Sequence, residues 1–244
     1  MPGVLVLLPP IGLDRHCWDW LDLPGGVAAR YEPPGIGRRA GEPAGVSLAA
    51  LADELAAGFP GPLDVVGISF GGMVAQHLAL RHPRKVRSLL LAATTAEVDD
   101  AVLEQRATRT EEVGMEGVLE DTLRRWFSEE ALAATEVDPA IAYARQALRS
   151  CDPGAFAAAW RTMKGQHVGS ELSAIRAPTT CLAGTRDAST LRASLEAIAA
   201  ALRAARLVDL DGPHLLHLET PAAFSAALAD HLAWAARVEM AGPL

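Results

Sequence analysis

The feature that most constrains this chain is a regular exchange between two apolar patterns. Short runs at Val4–Leu8, 63–67, 86–91, 179–183 and 206–210 are bounded by proline or glycine and lack a polar alternation. Such runs read as strands buried on both faces, as in a parallel sheet. Between them, 48–59, 72–81, 191–204 and 222–236 are rich in alanine and leucine and read as helices. The segment 26–31 reads as one more strand. Strand–helix alternation predicts an α/β fold with a mostly parallel sheet of about six strands and helices on both faces.

The alternation stops between residues 97 and 172. Val118, Leu119, Leu123, Trp126 and Phe127 form a one-sided apolar stripe at helical spacing. Asp138-Pro139 and Asp152-Pro153 have the form of helix starts, a capping side chain followed by proline in the first turn. These features predict a helical insertion that divides the core into 1–96 and 173–244. Charge separates along the same boundary. The chain carries a net charge of −8, and the fifteen acidic and eight basic residues of 97–171 account for −7 of it. A solvated acidic surface accounts for this most simply.

An acidic chain argues against nucleic-acid partners and anionic membrane surfaces, both of which need basic patches. No apolar run approaches the roughly 18 residues of a membrane span. The first residues, Met1 to Leu8, have no basic flank and no cleavage site, so no signal peptide is expected. Three cysteines (Cys17, Cys151 and Cys181) without a CxxC pair suit a reducing, cytoplasmic compartment and no disulfides.

The chemistry centres on Gly67-Ile68-Ser69-Phe70-Gly71, a G-x-S-x-G sequence between a strand-like run and a helix-like run. A sharp turn there exposes the serine above the sheet edge, and glycines on either side relieve crowding. A serine nucleophile needs a base and a group that orients the base. Strand 179–183 is followed by Gly184-Thr185-Arg186-Asp187, and strand 206–210 by Asp211-Gly212-Pro213-His214. Asp187 and His214 thus stand at strand C-terminal ends, where ligands bind in open α/β sheets. His217 is a rival base, although Leu215-Leu216-His217-Leu218 reads more like packing. Asp99 and Asp100, and less readily Asp209 and Asp211, are rival acids. An oxyanion needs backbone N–H donors. Phe70 supplies one; in Pro9-Pro10-Ile11-Gly12 the prolines have none, which leaves Ile11.

These residues resemble the α/β-hydrolase superfamily over nearly the whole chain. Val66 to Gln76, then His82-Pro83 and Val86, is similar to the elbow block of its enol-lactonase, esterase and haloperoxidase-like branch. Arg125-Trp126-Phe127 resembles the oxoadipate enol-lactonases, and Gly212-Pro213-His214 with Glu219-Thr220-Pro221 resembles the histidine block. The resemblance implies the α/β-hydrolase fold with a helical cap over the pocket, and a serine-dependent hydrolase without cofactor. The substrate would be a small ester, lactone or thioester. The same branch contains cofactor-free lyases and perhydrolases, and a ligand-binding protein with little turnover is a third reading. The chain departs from the family pattern in three places. Pro9-Pro10 stands where His-Gly is usual, 32–38 reads Glu-Pro-Pro-Gly-Ile-Gly-Arg where Asp-x-Pro-Gly-His-Gly-Arg is usual, and no leading hairpin precedes the first strand.

Several weaker signals complete the reading. Gly35-Ile36-Gly37-Arg38-Arg39-Ala40 matches a dinucleotide pattern, but Gly41-Glu42-Pro43 interrupts the expected helix, so no cofactor site is predicted. His214 and His217 have no HExxH or cysteine cluster around them, so no metal is expected. Arg15, His16 and Trp18, next to Cys17, follow the oxyanion loop and are candidates to line the pocket. Trp126 and Trp160, with Met163, could face substrate from the cap or simply pack. Arg15, Arg38 and Arg125 are the cations considered for an anionic substrate.

Overall fold

The computed structural model describes residues 3–24 and 28–240. Its strands are β1 (Val4–Leu8), β2 (Ala29–Arg30), β3 (Leu63–Ile68), β4 (Val86–Ala92), β5 (Thr179–Gly184) and β6 (Ala205–Leu210). All six pair in parallel in the order β2-β1-β3-β4-β5-β6. Every residue of β3 and β5 is buried, on both sides of the pleat. That pattern requires cover on both faces and explains the unbroken apolar runs. The edge strands β2 and β6 are only half-buried. The strand expected over 26–31 is reduced to β2, and part of that range lies outside the described residues.

The core helices are α1 (Leu48–Gly58) and α2 (Phe70–Arg81). Between β4 and β5 come α3 (Asp100–Trp126), α4 (Glu129–Ala133), α5 (Pro139–Ser150) and α6 (Pro153–Met163). After β5 come α7 (Arg192–Ala201), a one-turn α8 (Leu216–Glu219) and α9 (Pro221–Met240). Helix α2 packs on α1 and over β1, β3 and β4, α7 against β5 and β6, and α9 against β4. Among the described residues no helix is long and apolar enough to cross a membrane.

Helix α3 breaks at Gly114, whose φ of 67° and ψ of −179° divide it into two limbs. Glycine reaches this backbone conformation without the Cβ penalty other residues meet. The limbs pack against α6 and α5. Ion pairs tie them together: Arg161 with Glu104 and Glu111, Lys164 with Glu104, and Arg149 with Glu116. Each is solvent-exposed and contributes little alone, but together they absorb much of the acidity of the segment. The base of the insertion is closed by an antiparallel bridge between Glu97 and His167.

The two Asp-Pro helix starts cap α5 and α6. Asp138 accepts from the Ala140 N–H at 2.7 Å and Asp152 from the Ala155 N–H at 2.8 Å. A cap of this kind stabilises by about 1 kcal/mol. Asp152→Ala is therefore expected to lower the melting temperature by roughly 2–4 °C for a chain of this size. Calorimetry checks this, and an unchanged midpoint would contradict it.

Candidate active site

Strand β3 runs directly into α2 through Ser69, whose φ of 52° and ψ of −114° are strained for a residue with a side chain. Such a conformation costs on the order of 1–3 kcal/mol and persists only where its surroundings hold it. The Ser69 N–H donates to the Ala92 carbonyl at 2.9 Å. The Ser69 carbonyl accepts from the Thr94 hydroxyl at 2.8 Å and from the Gly72 N–H at 2.9 Å. The flanking glycines are sterically required. A Cβ on Gly67 would overlap the Gly71 backbone, and one on Gly71 would overlap the Leu8 carbonyl of β1.

Two later loops bring a base and an acid to this serine. His214 Nε2 lies 3.0 Å from Ser69 Oγ, and His214 Nδ1 lies 2.9 Å from Asp187 Oδ2. Both ring and carboxylate are almost fully buried, with side-chain exposures of 3% and 1%. The other Asp187 oxygen accepts from the N–H groups of Ser189 and Thr190 at 2.7 and 2.8 Å, which fixes the carboxylate's orientation. The loops also support each other, since the Arg186 N–H donates to the Gly212 carbonyl at 3.0 Å. A Cβ on Gly184 would come within 2.6 Å of the Gly212 and Pro213 carbonyls. Only a residue without a side chain permits that approach. The arrangement can draw the Ser69 hydroxyl proton onto Nε2 while the carboxylate stabilises the imidazolium.

Ile11 and Phe70 are buried residues, and their N–H groups find no acceptor among the described residues. Unpaired buried donors are rare, and here both belong to residues next to Ser69 in sequence or in space. A cavity of about 260 Å³ opens beside Ser69 and His214. Ile11, Met73, Leu103, Arg106, Trp126, Trp160 and Met163 line it, with Ser189 to Leu191 on the side of the acid loop.

The expected pocket residues divide. Trp126 and Trp160 line this cavity. Arg15, His16 and Trp18, all in the 3-10 turn Arg15–Trp18, do not. Its Trp18 is fully buried against the His217 ring, and His16 faces outward to pair with Asp19. Cys17 is also buried, which pushes its thiol well up from the usual range. Of the rival acids, Asp99 caps α3 and Asp209 and Asp211 pair with Arg192 and Arg186. The dinucleotide-like segment ends in the 3-10 turn Gly37–Arg39 and not in a phosphate-binding helix. Its Arg38 pairs with buried Glu32 at 2.7 Å. Among the described residues no cluster of His, Cys, Asp and Glu could hold a metal.

Sequence reasoning missed Arg106. The signal was present: Leu103, Ala107 and Thr110 are buried at helical spacing on the first limb of α3, and Arg106 shares that face.

Comparison with known proteins agrees with this geometry. The family model described as "Alpha/beta hydrolase family" matches residues 5–227. A protein of Chromobacterium violaceum named pimeloyl-[acyl-carrier protein] methyl ester esterase is 32% identical over 225 residues, covering 89% of this chain and 84% of that one. The 3-oxoadipate enol-lactonase 2 of Acinetobacter baylyi is 26% identical over 66% of this chain and 60% of its own length. A solved hydrolase from Pseudomonas aeruginosa PA01 superposes with a TM-score of 0.85 at 28% identity, covering 94% of this chain and 89% of that one.

His217 is buried behind the site, between Trp18 and Phe224, and neither ring nitrogen has a partner among the described residues. Burial, and secondarily the nearby His214, push its pKa down to about 3. An unfolded chain takes up a proton on this ring near the ordinary value of 6.5, whereas the folded chain refuses it until about 3. Unfolding therefore absorbs a proton between those limits. Stability present above the unfolded value is lost as pH falls, by up to about 1.4 kcal/mol per pH unit from this group. Buried His231, pushed down to about 4 by its desolvation, adds to the same slope. Urea titrations from about pH 6 to about pH 5 are expected to show a shallower acid slope for His217→Leu than for the wild type. An equal slope would mean that the folded ring already accepts the proton.

Proposed function

The chain belongs to the alpha/beta hydrolase family, and on that basis we propose that it hydrolyses a small carboxylic ester or lactone through an acyl-enzyme on Ser69. The observation that carries the reading is the unbroken relay from Asp187 through His214 to Ser69 at hydrogen-bond distances. It stands beside two N–H groups with no acceptor among the described residues. The name of the Chromobacterium violaceum relative favours an ester of a small alcohol. A cavity of about 260 Å³ suits a compact reacting end.

In this mechanism Ser69 Oγ attacks the ester carbonyl as its proton passes to His214 Nε2. The carbonyl electron pair moves onto oxygen, and the N–H groups of Ile11 and Phe70 hold that charge. Collapse of the tetrahedral species re-forms the carbonyl and expels the alcohol, which takes the proton from His214. Water then attacks the acyl-enzyme, again losing a proton to His214, and the acid leaves as Ser69 regains its hydrogen. Asp187 keeps the imidazole with its proton on Nδ1 and stabilises the imidazolium. Pro9 and Pro10, both buried, hold the Ile11 donor in a rigid loop.

Ser69→Ala is expected to lower kcat on a simple aryl or methyl ester by on the order of 10⁶. Asp187→Asn, which preserves shape but favours the wrong tautomer, is expected to lower it by roughly 10⁴. Steady-state assays of the purified variants check both. Near-normal turnover by Ser69→Ala would overturn the assignment.

A further inference from the structure

The arginines and lysine that tie the insertion together all have carboxylate partners, as Arg145, Arg149, Arg161 and Lys164 illustrate. Arg106 does not. Its guanidinium makes no hydrogen bond or ion pair to any described residue, although it is half-buried. It lies over the Trp160 ring at 4.9 Å, a contact that satisfies one face of the cation and none of its N–H donors. Arg125 is also half-buried. Among the described residues its Nε has no partner, and its one side-chain hydrogen bond goes to Thr122. Burial depresses the pKa of Arg125, with a smaller contribution from the Arg106 charge and an opposing one from Asp121. Burial depresses that of Arg106 itself. Arginine stays protonated throughout, so the fold keeps two half-buried cations that have no ion pair among the described residues, at a cost.

Their position gives that cost a use. Arg106 and Trp160 line the cavity beside Ser69, and the same two residues line a larger cavity of about 720 Å³ between the limbs of α3 and α6. Arg125 faces the larger one. Carboxylates on these walls are occupied elsewhere: Glu97 by His167 and the Gly169 N–H, Asp99 by the start of α3, Glu104 by Arg161 and Lys164, and Asp121 by Arg124. Glu112, also on the outer wall, is exposed. The partition between the two cavities is therefore cationic even though the insertion as a whole is acidic.

We propose that Arg106, supported by Arg125, is a specificity-determining residue that binds an anionic group on the acyl part of the substrate, remote from the scissile bond. The inference rests on the ester-hydrolase reading above. A small alcohol leaves no room for a charge on the leaving group, so the anion lies on the acyl chain. The substrate class is an ester or lactone whose acyl chain carries a carboxylate or a phosphate-like dianion. Either would accept two N–H bonds from the guanidinium fork.

The test compares three methyl esters with four methylenes between the ester carbonyl and the terminal group: methyl hexanoate, monomethyl adipate and methyl 5-phosphonopentanoate. Wild type, Arg106→Gln and Arg106→Lys are assayed, with melting curves to show that each variant is folded. Wild type should prefer at least one anionic ester over methyl hexanoate by about tenfold or more in kcat/KM. Arg106→Gln should lose that preference mainly through KM, and Arg106→Lys should keep part of it. The anionic ester with the larger dependence on Arg106 identifies the carboxylate or the phosphonate as the group recognised. Equal rates for neutral and anionic esters in wild type would overturn the proposal, as would an Arg106→Gln loss of the same size on all three. Ser69-dependent hydrolysis of 4-nitrophenyl acetate with no preference for either anion overturns this inference and leaves the esterase reading standing. Absence of Ser69-dependent turnover on every ester removes both.

Discussion

The structure turns on the close approach of α2 to the ends of β1 and β3. Gly71 lies so near the Leu8 carbonyl that no side chain fits, and Gly67 packs directly on the start of α2. That contact forces the chain to reverse within Ser69, and the reversal stores strain in a residue whose backbone carries a side chain. The strain is offset by hydrogen bonds from the end of β4, through Ala92 and Thr94, and by the buried surface of β3 and α2. The serine is thereby presented at the sheet edge on a rigid support. The first N–H of α2 has no partner beside it among the described residues.

The remaining parts of the site depend on the same edge. The loops after β5 and β6 reach it because parallel strands all end there, and they interlock through Gly184 and the Gly212 and Pro213 carbonyls. The helical insertion is tied to the histidine loop rather than merely resting on it. The Leu215 N–H donates to the Trp126 carbonyl at 3.0 Å, and Glu219 accepts from the Ser128 N–H at 2.9 Å. The end of α3 and the loop carrying His214 are therefore joined directly by hydrogen bonds. In the proposed account, that coupling lets the insertion set the shape of the cavity without disturbing the relay.

Much of this was legible in the residues, for identifiable reasons. The parallel sheet showed in runs such as that of β3, whose two faces are both buried and so lack alternation. Ser69, Asp187 and His214 stood out because each follows a strand in the order that brings their side chains together. What escaped was set by contacts between elements. Trp18 looked like a pocket residue because it follows the Ile11 loop, yet a single 3-10 turn directs it into the core beside His217. The helical spacing of Leu103, Ala107 and Thr110 puts Arg106 on a buried face, but its place over the Trp160 ring, beside carboxylates engaged elsewhere, is a contact between elements that the residues alone do not show. The break of α3 at Gly114 has no local signal beyond the glycine itself.

The central claim is that Ser69 is an activated nucleophile dependent on His214. Labelling the purified protein with a fluorophosphonate and mapping the adduct by mass spectrometry tests this most directly. The account predicts a single adduct on Ser69 that disappears in folded His214→Ala. No adduct on the folded wild-type protein, or an adduct that survives His214→Ala undiminished, would contradict it.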